Sequence, residues 1–229
     1  MFSHKINNPR PKNFATTNGY YAIPIGHRCT SALACKYSNI RKFSLPFDWI
    51  IPSFPNKIQK VLENNFSNFI PDVHNNNFFN KYGINFTHFN SDKNAGIEEY
   101  ERRIIRFNTV INETNKKKYF VYINEDYLYN EKYREDKFND NIFDEILELE
   151  RFLNEKYINI DYNILFFNFK EHHIPANSKI INIVLNTNTL YNNFDDSPYV
   201  ELRKYCGKVL SLLFNTKFNV EHNPNIHNE

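Results

Sequence analysis

Two spacings of apolar residues alternate along the second half of the chain. Ile97, Tyr100, Ile104, Phe107 and Ile111 recur every three or four residues, with Glu98/Arg102 and Glu99/Arg103 as four-residue charge pairs, which predicts an amphipathic helix after Gly96. The apolar run 119–123 predicts a buried strand. Ile142, Ile146, Leu149 and Leu153 mark a second helix over 139–157, 162–169 and 179–186 read as two more strands, and 198–214 as a last helix. This order of helix, strand, helix, strand, strand, helix predicts an α/β fold with a layered, at least partly parallel sheet flanked by helices.

The first half is less regular. Residues 20–25 form a short run of strand formers, Gly26 permits a tight or left-handed turn, and Thr30 or Ser31 caps a helix to about residue 39, with a second strand closing the stretch that ends at Ile51. Pro52 and Pro55 bracket Ser53, a cap for a helix over 56–69 that Pro71 closes. Residues 74–80 read as a loop, and 82–89 as a strand or hairpin arm with His88 near its end. The polar segment 1–18, with Pro9 and Pro11, reads as a flexible or extended arm, 19–215 as a single domain and 216–229 as a flexible tail.

A chain of 229 residues that is 41% hydrophobic and 17% aromatic can fill one sizeable core. The net charge of +2, with both signs interspersed, argues against a nucleic-acid partner or a polybasic membrane anchor. No apolar run is long enough to span a bilayer, so no membrane partner is expected. Three cysteines, at 29, 35 and 206, have no paired spacing and no apolar leader precedes them, which predicts free thiols in a reducing, cytoplasmic setting. Abundant Asn, Lys, Ile, Phe and Tyr with only five Gly suggest codons rich in adenine and thymine, as in a protist parasite or a large DNA virus.

Cys29 carries the candidate chemistry. At a helix start, unpaired backbone N–H groups and the helix dipole favour negative charge, which predicts a lowered thiol pKa and an oxyanion site in one place. A small half-buried Cys that only packs is the plain alternative. The motif GHRC ahead of a helix, followed by SLPFDWI at 44–50, resembles the papain-like cysteine peptidase family DUF1796, whose pattern is roughly SLG-x-x-C and then S-x-PFDW. NFSNFI at 65–70, YGINFTHF at 82–89 and YERRIIRF at 100–107 extend the resemblance over about residues 20–125. Pro24-Ile25 stands where the family has Ser-Leu, and Phe89 follows the His where an acidic residue is common. The resemblance implies Cys29 as nucleophile and His88 as its base. Asp48, inside PFDW, is the leading candidate to orient the imidazole, with a turn or cap carboxylate as the equally plain alternative and Asp126 in reserve. A papain likeness also implies helices paired with an antiparallel, barrel-like sheet, which the alternation of elements contradicts.

Substrate contacts are expected from Gly26, His27, Arg28, Ser44, Trp49, Arg102 and Arg106. Arg28 could depress the thiol or take an anionic group. Arg102 and Arg106 share a helix face and could clamp a phosphate or carboxylate, although exposed ion pairs are the default. Packing is the default for Trp49 and Phe47. His172 and His173 are adjacent and project to opposite faces in a strand, and no CxxC, HExxH or EF-hand spacing occurs, so neither a metal nor any other cofactor is expected. A Gly-rich phosphate loop is likewise missing.

These residues point first to a thiol-dependent hydrolase cleaving or transferring acyl groups of a peptide or other acyl or glycan substrate. Two alternatives stand beside it. One is a nucleotide-sugar-binding or glycan-modifying transferase with a structural Cys29 and phosphate held at the Gly26 helix start. The other is a noncatalytic interaction module. The pattern does not specify an oligomeric state.

Overall fold

The strand runs and helical stripes pack as a sheet covered by helices on both faces. The computed structural model describes residues 4–7, 19–26, 28–125, 141–185 and 198–219. In chain order these form β1 (His4–Asn7), β2 (Tyr20–Pro24), α1 (Thr30–Tyr37), α2 (Pro55–Glu63), a 3-10 turn (Val73–Asn75) and α3 (Lys93–Asn112). There follow β3 (Lys117–Ile123), α4 (Ile142–Lys156), β4 (Tyr162–Asn168), β5 (Ile180–Leu185) and α5 (Pro198–Phe214). The strand order is β1-β5-β4-β3-β2; β2 to β5 run parallel and β1 pairs antiparallel with β5. The layered α/β expectation holds, and the sheet differs from the antiparallel one a papain likeness implies.

Alternation along the strands divides the core in two. Tyr119, Val121, Ile123, Leu165 and Phe167 face α1 and α5, where Ala34, Cys35, Cys206 and Leu210 cover them. Phe120, Tyr122, Tyr162, Ile164 and Phe166 face the other way, onto Ile58 and Leu62 of α2, Tyr100 and Phe107 of α3 and Ile146 of α4. Strands buried on both faces read as continuous apolar runs, which is why β3 to β5 were legible. Each large apolar side chain buried this way contributes about 1.5–3 kcal/mol. Gly207 lets α5 approach α1: a Cβ there would lie 3.0 Å from the Tyr37 Cβ and 3.2 Å from the Ala34 carbonyl. Among the described residues no helix is long and apolar enough to cross a membrane.

Several local expectations change. Residues 46–49 form a turn instead of a strand, and only Ile51 makes a bridge, to Asn85. Residues 82–89 contribute isolated bridges and no strand. Helix α2 starts at Pro55, with extended Phe54 as N-cap, while the Ser53 hydroxyl donates to the Gly26 carbonyl instead of capping. It stops at Glu63, before the left-handed residues Asn65 and Phe66. Helix α3 begins before Gly96: the Asp92 carboxylate accepts from the Asn94 and Ala95 N–H groups, and Gly96 makes room for the Phe89 ring, 2.3 Å from where a Cβ would stand. At the ends, residues 4–7 of the expected arm join the sheet. The expected tail starts pinned to α1, with the Asn219 N–H donating to the Tyr37 carbonyl at 2.9 Å and the Thr216 hydroxyl to Ser38.

Candidate functional site

The carboxyl end of β2 leads into a tightly bolted loop. Ser31, in the first turn of α1, accepts from the Ile123 N–H at 3.2 Å, tying that turn to the end of β3. A Cβ on Gly26 would stand 1.9 Å from the Ser31 hydroxyl oxygen. The glycine is required for close approach; of the tight or left-handed turn expected there, the left-handed form does not occur, since only Gly19 and Gly83 among the described glycines have positive φ.

Cys29 is the N-cap of α1, with φ −63° and ψ −7°, and its carbonyl accepts from the Leu33 N–H at 2.9 Å. Its side chain makes no capping hydrogen bond, so the cap expected from Thr30 or Ser31 does not form, and the first turn holds no acidic residue. Cys29 is half-buried and packs against the cluster formed by Leu33, Tyr37 and Trp49. Burial raises its pKa; Arg203 opposes that, the Glu125 carboxylate adds to it, and the Cys29 N–H and Arg28 oppose it more weakly. The lowered pKa expected at a helix start is therefore overturned, because desolvation of the thiolate outweighs a dipole effect of about 0.3–1 kcal/mol.

Two residues beside the thiol carry no motif. Glu125, just past β3, is fully buried, with the Arg28 Nε 3.6 Å away. Arg28 also lies over the Tyr199 ring, 5.5 Å from its centre. Arg203 of α5 donates through Nε to the Thr30 hydroxyl at 3.5 Å. A signal for Glu125 existed, since it follows an apolar strand whose carboxyl end would line an α/β site. Arg203 is distant in sequence and had none. His27 and Asp126 lie outside the described residues.

Asp48 is committed to the PFDW turn. Its Oδ2 accepts from Arg41 Nη2 at 2.7 Å, Arg41 Nε at 3.1 Å and the Leu45 N–H at 3.0 Å. It makes no hydrogen bond to His88, so the orienting role expected of it is not formed; the nearer guanidinium takes the carboxylate. Ser44 belongs to the same lock, its hydroxyl accepting from Arg41 and its carbonyl from Arg106, each at 2.7 Å. Arg106 also lies over Phe43, whereas Arg102 is exposed and pairs with Glu98 at 3.7 Å. The two arginines turn to different partners and form no clamp.

Trp49 joins the two halves of the site. Arg41 lies over its indole at 5.6 Å, and the exposed His88 meets it edge to face at 6.2 Å. Cys29 and His88 thus border the same indole-containing cluster. The residues on either side of His88, Thr87 and Phe89, line a separate cavity of about 440 Å³ with Phe78, Phe79 and Phe86. His172 stacks on Phe143 at 4.1 Å, and among the described residues no group of three or more His, Cys, Asp or Glu gathers as metal ligands.

In class, this is a parallel α/β sheet with a thiol at the carboxyl end of its first parallel strand. Residues 21–76, from β2 through the PFDW turn to α2 and the loop beyond it, match the family described as "Putative papain-like cysteine peptidase (DUF1796)". That segment contains Gly26, Cys29, Arg41, Ser44, Asp48 and Trp49 and stops before His88, Glu125 and Arg203. No curated protein and no solved structure matches the chain.

Proposed function

We propose that the protein is a thiol-dependent hydrolase or acyltransferase that cuts amide or ester bonds of peptide or other acyl substrates through Cys29 and His88. The observation that carries this reading is the shared Trp49: the thiol packs on its cluster and the imidazole meets its ring, beside the strand end where α/β folds bind ligands. A thiol raised by burial rests protonated, so the reaction begins by general-base catalysis. His88 takes the S–H proton as Sγ bonds to the carbonyl carbon, and the Cys29 backbone N–H supports the oxyanion. The imidazolium then returns the proton to the leaving nitrogen or oxygen as the C–N or C–O bond breaks. Water, deprotonated by the same imidazole, releases the acid from the thioester and regenerates the thiol. Asp48 acts as a positioning residue, holding through Arg41 the turn that carries Trp49.

One observation favours a structural Cys29, in a nucleotide-sugar-binding, glycan-modifying or noncatalytic protein: its packing against Leu33, Tyr37 and Trp49 with a raised pKa. Iodoacetamide labelling of the Cys29 peptide across pH, in the native protein and in His88→Ala, separates the readings. Cys35 and Cys206 are fully buried and stay unlabelled. Base assistance is expected to make His88→Ala slower by about tenfold or more at pH 7, with the two profiles converging at high pH. Superimposable profiles would sink the Cys-His pair.

A further inference from the structure

We infer that Arg203, with Arg28, makes the surroundings of the thiol a subsite for a single carboxylate, so that the preferred acyl substrates carry a carboxylate close to the bond that is cut. This rests on Cys29 as the attacking group and names the substrate class that site would take.

Among the described residues the charges around Cys29 do not balance. Arg28 flanks it in the chain, and Arg203 reaches the Thr30 hydroxyl on its other side. Among the described residues, the acidic groups near them are two, and both are engaged: Glu125 is fully buried with Arg28 at 3.6 Å, and Glu201 of α5 is held by Lys204 at 3.2 Å. Among the described residues Arg203 makes no ion pair. Its bond to a neutral hydroxyl, long at 3.5 Å, leaves most of its N–H donors for the fork geometry that matches a carboxylate. Arg203 and Cys29 are both partly exposed, so a small anion can reach both. With two guanidinium groups and one buried carboxylate, the balance among the described residues is a single positive charge. That suits a monoanion, whereas a phosphate dianion would also face repulsion from Glu125. The first turn of α1, which contains no acidic side chain, places no competing negative charge there.

The probe is a pair of alkylating agents of equal reach and different charge, iodoacetate and iodoacetamide, applied to the full chain with labelling read at Cys29. Both react with the thiolate, so any change in thiol pKa cancels in the ratio of their rates. The ratio is expected to exceed that of a small free thiol, to fall about three- to tenfold in Arg203→Gln, as one lost charge contact predicts, and to be largely restored in Arg203→Lys. It should also decline with added salt, because the site is open to solvent. A ratio unchanged by Arg203→Gln, with iodoacetamide labelling intact, overturns the subsite while leaving the nucleophile untouched. A Cys29 whose iodoacetamide profile ignores His88 overturns the underlying reading instead, whatever the ratio does.

Discussion

At the scale of single residues, Gly26 shows how one missing Cβ can hold a site together. It stands beneath Ser31, whose hydroxyl satisfies the Ile123 N–H, and its own carbonyl accepts from Ser53. Gly26→Ala must push Ser31 aside and strand a buried N–H, a loss of about 1–3 kcal/mol. Urea unfolding should show that loss, and adding Ser31→Ala to Gly26→Ala should cost little more, because the bond it removes is already broken. Full additivity of the two changes would mean that the glycine acts elsewhere. The thiol illustrates the other side of residue-level reasoning. A helix start favours a thiolate, yet at Cys29 the packing of Leu33, Tyr37 and Trp49 removes the water that would stabilise the charge.

The PFDW turn is the element on which the site depends. Asp48 and Arg41 are nearly sealed from solvent, at 0% and 7% side-chain exposure, and their contact fixes Ser44, Leu45 and Trp49 in one arrangement. Removing either partner leaves the other charge buried, so Asp48→Ala and Arg41→Ala should each destabilise by about 3–5 kcal/mol. The double variant should lose clearly less than the sum, as a denaturant double-mutant cycle would measure. If Asp48 instead served the imidazole, the cycle with Arg41 would show no coupling. This element was half legible. The motif was plain in the letters, but the aromatic and β-branched residues around it suggested a strand, and a turn stabilised by a carboxylate-guanidinium pair seven residues apart has no periodic signature.

Across the whole molecule, a parallel sheet closed on both faces determines how stability depends on pH. The thiols of Cys35 and Cys206 lie fully buried between the sheet and α1 and α5, and burial raises both above the ordinary thiol value of 9.0. Burial also pushes the Tyr157 phenol up to about 12. For these groups the unfolded chain releases its proton first, so the folded state binds more protons as pH rises. Their contribution is complete below the ordinary thiol value and is lost progressively above it. The urea midpoint should therefore hold between pH 7 and 8 and fall by pH 10.5, each displaced unit of pKa being worth about 1.4 kcal/mol. A midpoint flat to pH 10.5 would contradict burial of the two thiols.

Sequence alone determined the layered α/β class, the helices and strands from α3 onward and the place of Cys29 at a helix start. Each of these depends on spacing within a dozen residues or on backbone preferences that a short segment expresses by itself. Only the tertiary structure decided that 44–51 and 82–89 are turns and bridges, that residues 4–7 complete the sheet and that Gly26 is needed for contact. It alone also gave Asp48 to Arg41, brought Glu125 and Arg203 to the thiol, and raised the thiol's pKa. Those outcomes depend on partners far along the chain and on how much water packing excludes, and neither quantity is written in local order.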